Sequence, residues 1–133
     1  MSGQTVTGKA LQFTNDNKHA YAYSGLIAVP TTRTKLLEFE TNSSYIMAKF
    51  QPTYFTLGTG EDVYFEVSID STLIYNVEIT SSTNSTPYEE VEILIPPNVT
   101  FKIEAFTASG TRNLGAILTG KVGMPQRVGN LDD

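Results

Sequence analysis

The sequence predicts an all-β domain built as a two-sheet antiparallel sandwich, jelly-roll-like, of about eight or nine strands. Three observations carry this. Apolar and polar residues alternate with period two: Val63, Phe65, Val67 and Ile69 point one way while Tyr64, Glu66, Ser68 and Asp70 point the other. No segment sustains an apolar 3.6-residue period, so any helix is expected to be a single turn. Short segments rich in Asn, Asp, Gly, Pro and Ser punctuate the chain wherever the alternation stops.

Taken in order, the expected strands are Thr5–Phe13, Ala20–Val29, Thr34–Glu40, Tyr45–Phe50, Asp62–Ile69, Leu73–Thr80, Glu90–Ile95, Val99–Thr107 and Leu114–Val122. The breakers between them include Asn15-Asp16-Asn17, Pro30, Thr41-Asn42-Ser43, Leu57-Gly58-Thr59-Gly60, Pro96-Pro97-Asn98 and Ala108-Ser109-Gly110. One junction is testable by parity. If Leu73, Tyr75, Val77 and Ile79 share a face with Val63, Phe65, Val67 and Ile69, a two-residue turn alone puts the faces out of register. Either a three-residue loop at Asp70-Ser71-Thr72 or a β-bulge restores it, unless the chain crosses to the second sheet there. Inner faces continue through Val91, Ile93 and Ile95, then Val99, Phe101, Ile103 and Ala105. Glu90, Glu92, Thr100, Lys102 and Glu104 read as solvated. Half-buried strands in this number must cover one another, hence the sandwich. A jelly roll is the first choice, and an immunoglobulin-like sandwich, whose usual Cys and Trp markers are missing, is the second.

The chain has 133 residues, no Cys and no Trp, with seven Tyr and seven Phe as its large core-formers. That length fits one domain with a core of its own. Without cysteine there are no disulfides, thiolate metal sites or cysteine nucleophiles, which suits assembly in a reducing compartment. Charged residues are only 17% and the net charge is −5, with Lys and Arg scattered singly, so no nucleic-acid partner is expected. No apolar run approaches membrane-spanning length and Met1-Ser2-Gly3-Gln4-Thr5 is not a leader, so the expectation is a soluble protein made in the cytoplasm, with no membrane partner.

Candidate chemistry is sparse. His19, the single histidine, lacks a nucleophile elbow to pair with and cannot build a metal site of the several-histidine kind. The acid pairs Glu61-Asp62 and Glu89-Glu90 are sequence neighbours, which face opposite ways on a strand and so do not span a cleft as glycosidase acids must. Neither Asn15-Asp16-Asn17 nor Gly60-Glu61-Asp62 makes a full calcium loop. The sequons at Asn42, Asn84 and Asn98 are expected to stay unglycosylated in a cytoplasmic product, and Gly58-Thr59-Gly60 precedes no helix and is not a nucleotide loop. The expectation is therefore no catalytic residues, no cofactor and no metal. Tyr45, Tyr54, Tyr64 and Tyr88 are the aromatics available to face a sugar, although each also serves as an ordinary strand residue with one apolar side and one wet end. The Ser/Thr/Asn run Thr80–Pro87 reads as a solvated loop, or as an outward recognition tip.

Two stretches carry a resemblance. Ala20-Tyr21-Ala22-Tyr23-Ser24-Gly25-Leu26-Ile27-Ala28-Val29 with Thr34-Lys35-Leu36-Leu37-Glu38-Phe39-Glu40-Thr41 resembles the opening strands of small jelly-roll virion proteins of tailed bacteriophages. Ile95-Pro96-Pro97-Asn98-Val99-Thr100-Phe101-Lys102-Ile103 with Gly115-Ala116-Ile117-Leu118-Thr119-Gly120-Lys121-Val122 is similar to their closing strands. The resemblance covers under half of the chain. It implies a capsid decoration (cement) or head-fibre subunit, often a homotrimer, located in the virion and bound to partners such as the major capsid protein. The expected division is an N-terminal arm over 1–8, a sandwich over 9–122 and a C-terminal tail over 123–133. Val6, Val128 and Leu131 are the candidate interface anchors, being apolar residues on ends without a core of their own. The rival expectation is a carbohydrate-binding, receptor-recognising sandwich with a glycan partner.

Overall fold

The computed structural model describes residues 6–7, 12–15, 19–54, 61–80 and 91–123. These form eleven strands: β1 (Val6–Thr7), β2 (Gln12–Asn15), β3 (His19–Tyr23), β4 (Ile27–Val29), β5 (Thr34–Glu40), β6 (Tyr45–Tyr54), β7 (Val63–Ile69), β8 (Thr72–Ile79), β9 (Val91–Ile95), β10 (Thr100–Thr107) and β11 (Arg112–Gly123). One sheet runs β1-β5-β10-β7-β8, and the other runs β2-β3-β11-β6-β9, with β4 also paired to β11. Every pairing among the described residues is antiparallel. Counting β3 and β4 as one interrupted line beside β11, the order β3/β4-β11-β6-β9 over β5-β10-β7-β8 is that of a jelly roll: each successive strand from β4 to β7 changes sheet, and the chain then retraces the path.

Two expected strands are split. Thr5–Phe13 is not one strand: β1 joins β5 at the edge of the five-stranded sheet, whereas β2 joins β3 at the edge of the six-stranded sheet. The sandwich thus begins inside the segment expected to be an arm. Ala20–Val29 is broken at Ser24–Leu26 because Gly25 takes a left-handed φ of 73°. Ser24 holds the break closed. Its N–H donates to Ala116 O at 3.1 Å, its Oγ accepts from Ala116 N at 2.9 Å, and its hydroxyl donates to Gly25 O at 2.7 Å. The loop lies so close over β11 that a Cβ on Gly115 would stand 2.5 Å from Gly25 O.

The β7–β8 junction takes the bulge. Asp70 and Ser71 form a two-residue turn with φ of 50° and 69°, both positive as a type I′ hairpin turn requires. Ser68 pairs with Leu73 but Val67 pairs with Tyr75, so Ile74 is the extra residue. That residue restores parity: Val77 and Ile79 point inward, while Leu73, expected on the inner face, is 50% exposed. A second bulge in β5 sets Ile103 against Leu37 and Glu104 against Lys35, so Leu36 and Leu37 are both fully buried.

The core lies between the sheets. The five-stranded sheet supplies three of the four fully buried Phe residues, Phe39, Phe65 and Phe101, with Leu36, Leu37 and Ile103, and the six-stranded sheet opposes it with Phe50, Ile46, Ile95, Leu114 and Leu118 interspersed with Ala20, Ala22, Ala48 and Ala116. Large side chains facing small ones let the layers interlock. Phe39 and Phe101 are cross-strand partners 5.2 Å apart, and Phe50 meets Phe65 across the sheets at 6.2 Å. Thr41 pins the β5–β6 corner to the β9–β10 turn: its hydroxyl donates to Pro96 O at 2.7 Å and accepts from Val99 N at 3.0 Å.

Candidate functional site

With the inner faces committed to the core, only the outer faces, edges and loops can meet a ligand. The outer face of the six-stranded sheet follows from register. His19, Lys121, Met47 and Leu94 form one cross-strand row, Tyr21, Thr119, Lys49 and Glu92 the next, and Tyr23, Ile117 and Gln51 a third. The first two rows enclose a groove of about 430 Å³ lined by His19, Met47, Lys49, Glu92, Thr119 and Lys121, with Ala48 and Gly120 beneath. Its depth comes from side-chain length, since short Thr119 stands among long neighbours. Tyr21, Met47 and Leu94 are 39%, 47% and 54% exposed. Lys49 and Lys121 are diagonal neighbours on this face, roughly 7–8 Å apart by sheet geometry. Glu92 stands directly across from Lys49, yet none of the ion pairs among the described residues involves any of the three.

The outer face of the five-stranded sheet is organised differently. Arg33 forks onto Glu66 with Nε–Oε1 at 2.6 Å and Nη2–Oε2 at 3.1 Å, and its guanidinium sits 4.9 Å from the Phe106 ring centroid. Tyr64 stacks on Phe106 with centroids 4.7 Å apart. Lys35–Glu38 and Lys102–Glu104 are further ion pairs on this face. The hydrogen bond from Arg33, aided by its charge, holds the Glu66 carboxyl below the usual range, and the same bond raises Arg33. Partial desolvation, then the Glu78 carboxylate, pushes the Tyr64 phenol up.

The structure does not gather the expected aromatics. Tyr45 and Tyr54 occupy opposite ends of β6, the first with its ring against Gly123 and the second packed on the core margin. Tyr64 lies on the other sheet, already stacked. Tyr88 falls outside the described residues, as do Val128 and Leu131. Val6 pairs through its backbone with Phe39 of its own chain. Among the described residues no cluster of three His, Asp or Glu side chains is placed to hold a metal ion. Glu61 bonds Arg112 at 2.7 Å. The residues that do converge, Tyr21, Met47, Lys49, Leu94, Thr119 and Lys121, were hidden by phase: in Ala20-Tyr21-Ala22-Tyr23 alternation is plain, but only the bulky Phe residues of the opposing sheet decide that alanine faces inward.

No family model matches the chain, and no curated protein matches it. Among solved structures, a similar chain is a CBM35 from Paenibacillus barcinonensis, 11% identical, with 95% of this chain and 94% of that chain aligned at a TM-score of 0.32. A likeness at that level says nothing about what this chain binds.

Proposed function

We propose that the chain is a non-enzymatic virion structural subunit of the capsid decoration or head-fibre type, assembling with copies of itself, as a trimer, and with other virion proteins such as the major capsid protein. The observation that carries the assembly part is the outer face of the six-stranded sheet. Met47 and Leu94 stand exposed as cross-strand partners, and Tyr21 stands exposed on the far side of β11, where a solitary domain would place polar residues, and tyrosine and methionine are enriched at protein interfaces. The resemblance of the opening and closing strands to phage virion proteins supplies the setting. The mechanism is mechanical: sheet faces, sheet edges and terminal segments make modest contacts that sum over a lattice. Size exclusion with light scattering on the full-length chain tests this, a stable trimer being expected. A monomer at all concentrations, with no retention on purified capsids, would overturn it.

The second reading is a carbohydrate-binding sandwich. The groove favours it, since about 430 Å³ falls within the usual range for small-ligand sites and Tyr21 is the exposed cross-strand neighbour of its lining residue Thr119. Glycan titration followed by tyrosine fluorescence separates the two: saturable binding lost in Tyr21→Ala supports sugar recognition, and no binding leaves assembly.

A further inference from the structure

Resting on the carbohydrate reading, we infer that the groove takes a neutral sugar, of which two hydroxyls on adjacent ring carbons bridge Lys49 and Glu92. The starting point is a pair that does not close. Lys49 and Glu92 are direct cross-strand partners on β6 and β9, a placement that sets Cβ atoms roughly 4.5–5.5 Å apart, yet they form no ion pair among the described residues. On the other sheet Arg33, Lys35 and Lys102 each reach a glutamate. The two charges that stay apart both line the groove.

Their opposite signs select the ligand. A carboxylate in the groove would be drawn to Lys49 and Lys121 but set beside Glu92, and an amine would be drawn to Glu92 but set beside two lysines. A hydroxyl serves both signs, since its O–H donates to a carboxylate and its oxygen accepts from an ammonium. Hydroxyls on neighbouring carbons do this side by side, one toward each residue, and bonds to charged groups are the stronger kind. Thr119 lies directly across from Lys49, with Lys121 two residues further along β11, so further polar partners meet the rest of the ring. Met47 supplies an apolar wall for its C–H face. Size limits the occupant as well. About 430 Å³ lies near the lower end of the roughly 300–1,000 Å³ usual for ligand sites, which suits one or two sugar units and not a long chain.

Titration into the full-length chain tests the inference, read by amide NMR shifts with thermal melting as the control for folding. Methyl glucoside, maltose and lactose are the neutral probes, galacturonate the acidic one and glucosamine the basic one. A neutral probe is expected to move the Lys49, Glu92 and Thr119 amides saturably and to bind more tightly than either charged probe. Lys49→Gln and Glu92→Gln are each expected to weaken it about fivefold or more. K49E/E92K exchanges donor and acceptor across the same pair and is expected to keep most of the binding; if it does not fold, the two glutamine variants, which add no charge, decide. Tighter binding of galacturonate that survives Glu92→Gln would overturn the inference in favour of an anion site. Neutral-sugar binding lost in Tyr21→Ala but unchanged in Lys49→Gln and Glu92→Gln would also overturn it, leaving sugar recognition standing elsewhere on the face. No shift with any probe would remove the carbohydrate reading itself, and this inference with it.

Discussion

The two outer faces of the sandwich differ in whether their side chains are already satisfied. On the five-stranded sheet, Arg33 is shared between Glu66 and the Phe106 ring, Tyr64 covers the neighbouring part of Phe106, and the remaining lysines reach glutamates. On the six-stranded sheet, Lys49, Lys121 and Glu92 close no ion pair among the described residues, and Met47 and Leu94 are cross-strand neighbours in the open. Both faces rest on the same core, so folding requirements alone do not account for the contrast. Charges that pair stabilise their own sheet; Lys49, Lys121 and Glu92 keep theirs for something else.

The comparison presumes one cooperative body beneath both faces, and Phe65→Ala attacks that premise most heavily. Phe65 is fully buried and meets Phe50 of the other sheet, so its removal is expected to cost about 3–5 kcal/mol and to melt both sheets in one transition by circular dichroism. Two separate transitions would mean that the sheets are not a single unit. Next in size is Ser24→Ala, which leaves the Ala116 N–H without its side-chain acceptor at the β3–β4 break and is expected to cost about 1–3 kcal/mol in urea unfolding. Phe106→Ala should cost about 1–2 kcal/mol through loss of its stacking and cation contacts, with solution mass unchanged. Met47→Asp combined with Leu94→Asp should do the reverse, leaving the melting curve in place and weakening self-association about tenfold or more. An equal stability loss from the Phe106 change and from the Met47/Leu94 double change would erase the distinction between the faces.

The smallest effect concerns pH. Because Arg33 holds Glu66 below its ordinary value, the folded state binds that proton less readily than the unfolded chain does. The stabilisation is therefore fully present above the unfolded value of about 4.3 and disappears as pH falls through the lower folded value. Wild type and Glu66→Gln should differ slightly at pH 6, and the gap should narrow as pH falls below about 4 in thermal melts. A gap that widened on acidification would mean that the fork with Arg33 is not what the carboxylate responds to.

Much of the fold was legible because period two is a local property. β5, β7 and β9 run where the alternation places them, and the Asp70–Ser71 junction could be reduced to a short set of solutions by counting faces, of which the bulge at Ile74 is the one adopted. The splits at Ser24–Leu26 and after Thr7 were not legible. The first depends on Gly115 allowing a loop to descend onto β11, more than ninety residues away (|i−j| of 92 for the Ser24–Ala116 bond), and the second on which sheet edge is free at each level. β6 also runs on through Pro52 to Tyr54, where its proline removes a donor that an internal strand ordinarily uses. The face carrying Tyr21 and Met47 escaped for a related reason. Alternation gives two phases without saying which is inward, and the opposing layer makes that choice. Tyr45, Tyr54 and Tyr64 were reasonable aromatics to single out, but their company is set by strand order, which a single sequence does not print.

The position of the last two strands bears on how the protein is made. β10 lies between β5 and β7, and β11 lies between β3/β4 and β6, so both sheets are completed from the middle by the final described segments. While the chain emerges from the ribosome, its earlier strands hold open slots on both layers with their apolar sides uncovered. Closure waits for residues 100–123, and the pairings that achieve it are distant in sequence, which slows folding. Yield on expression should therefore depend on whether nascent chains seat their own two closing strands, one in each sheet, before they find each other.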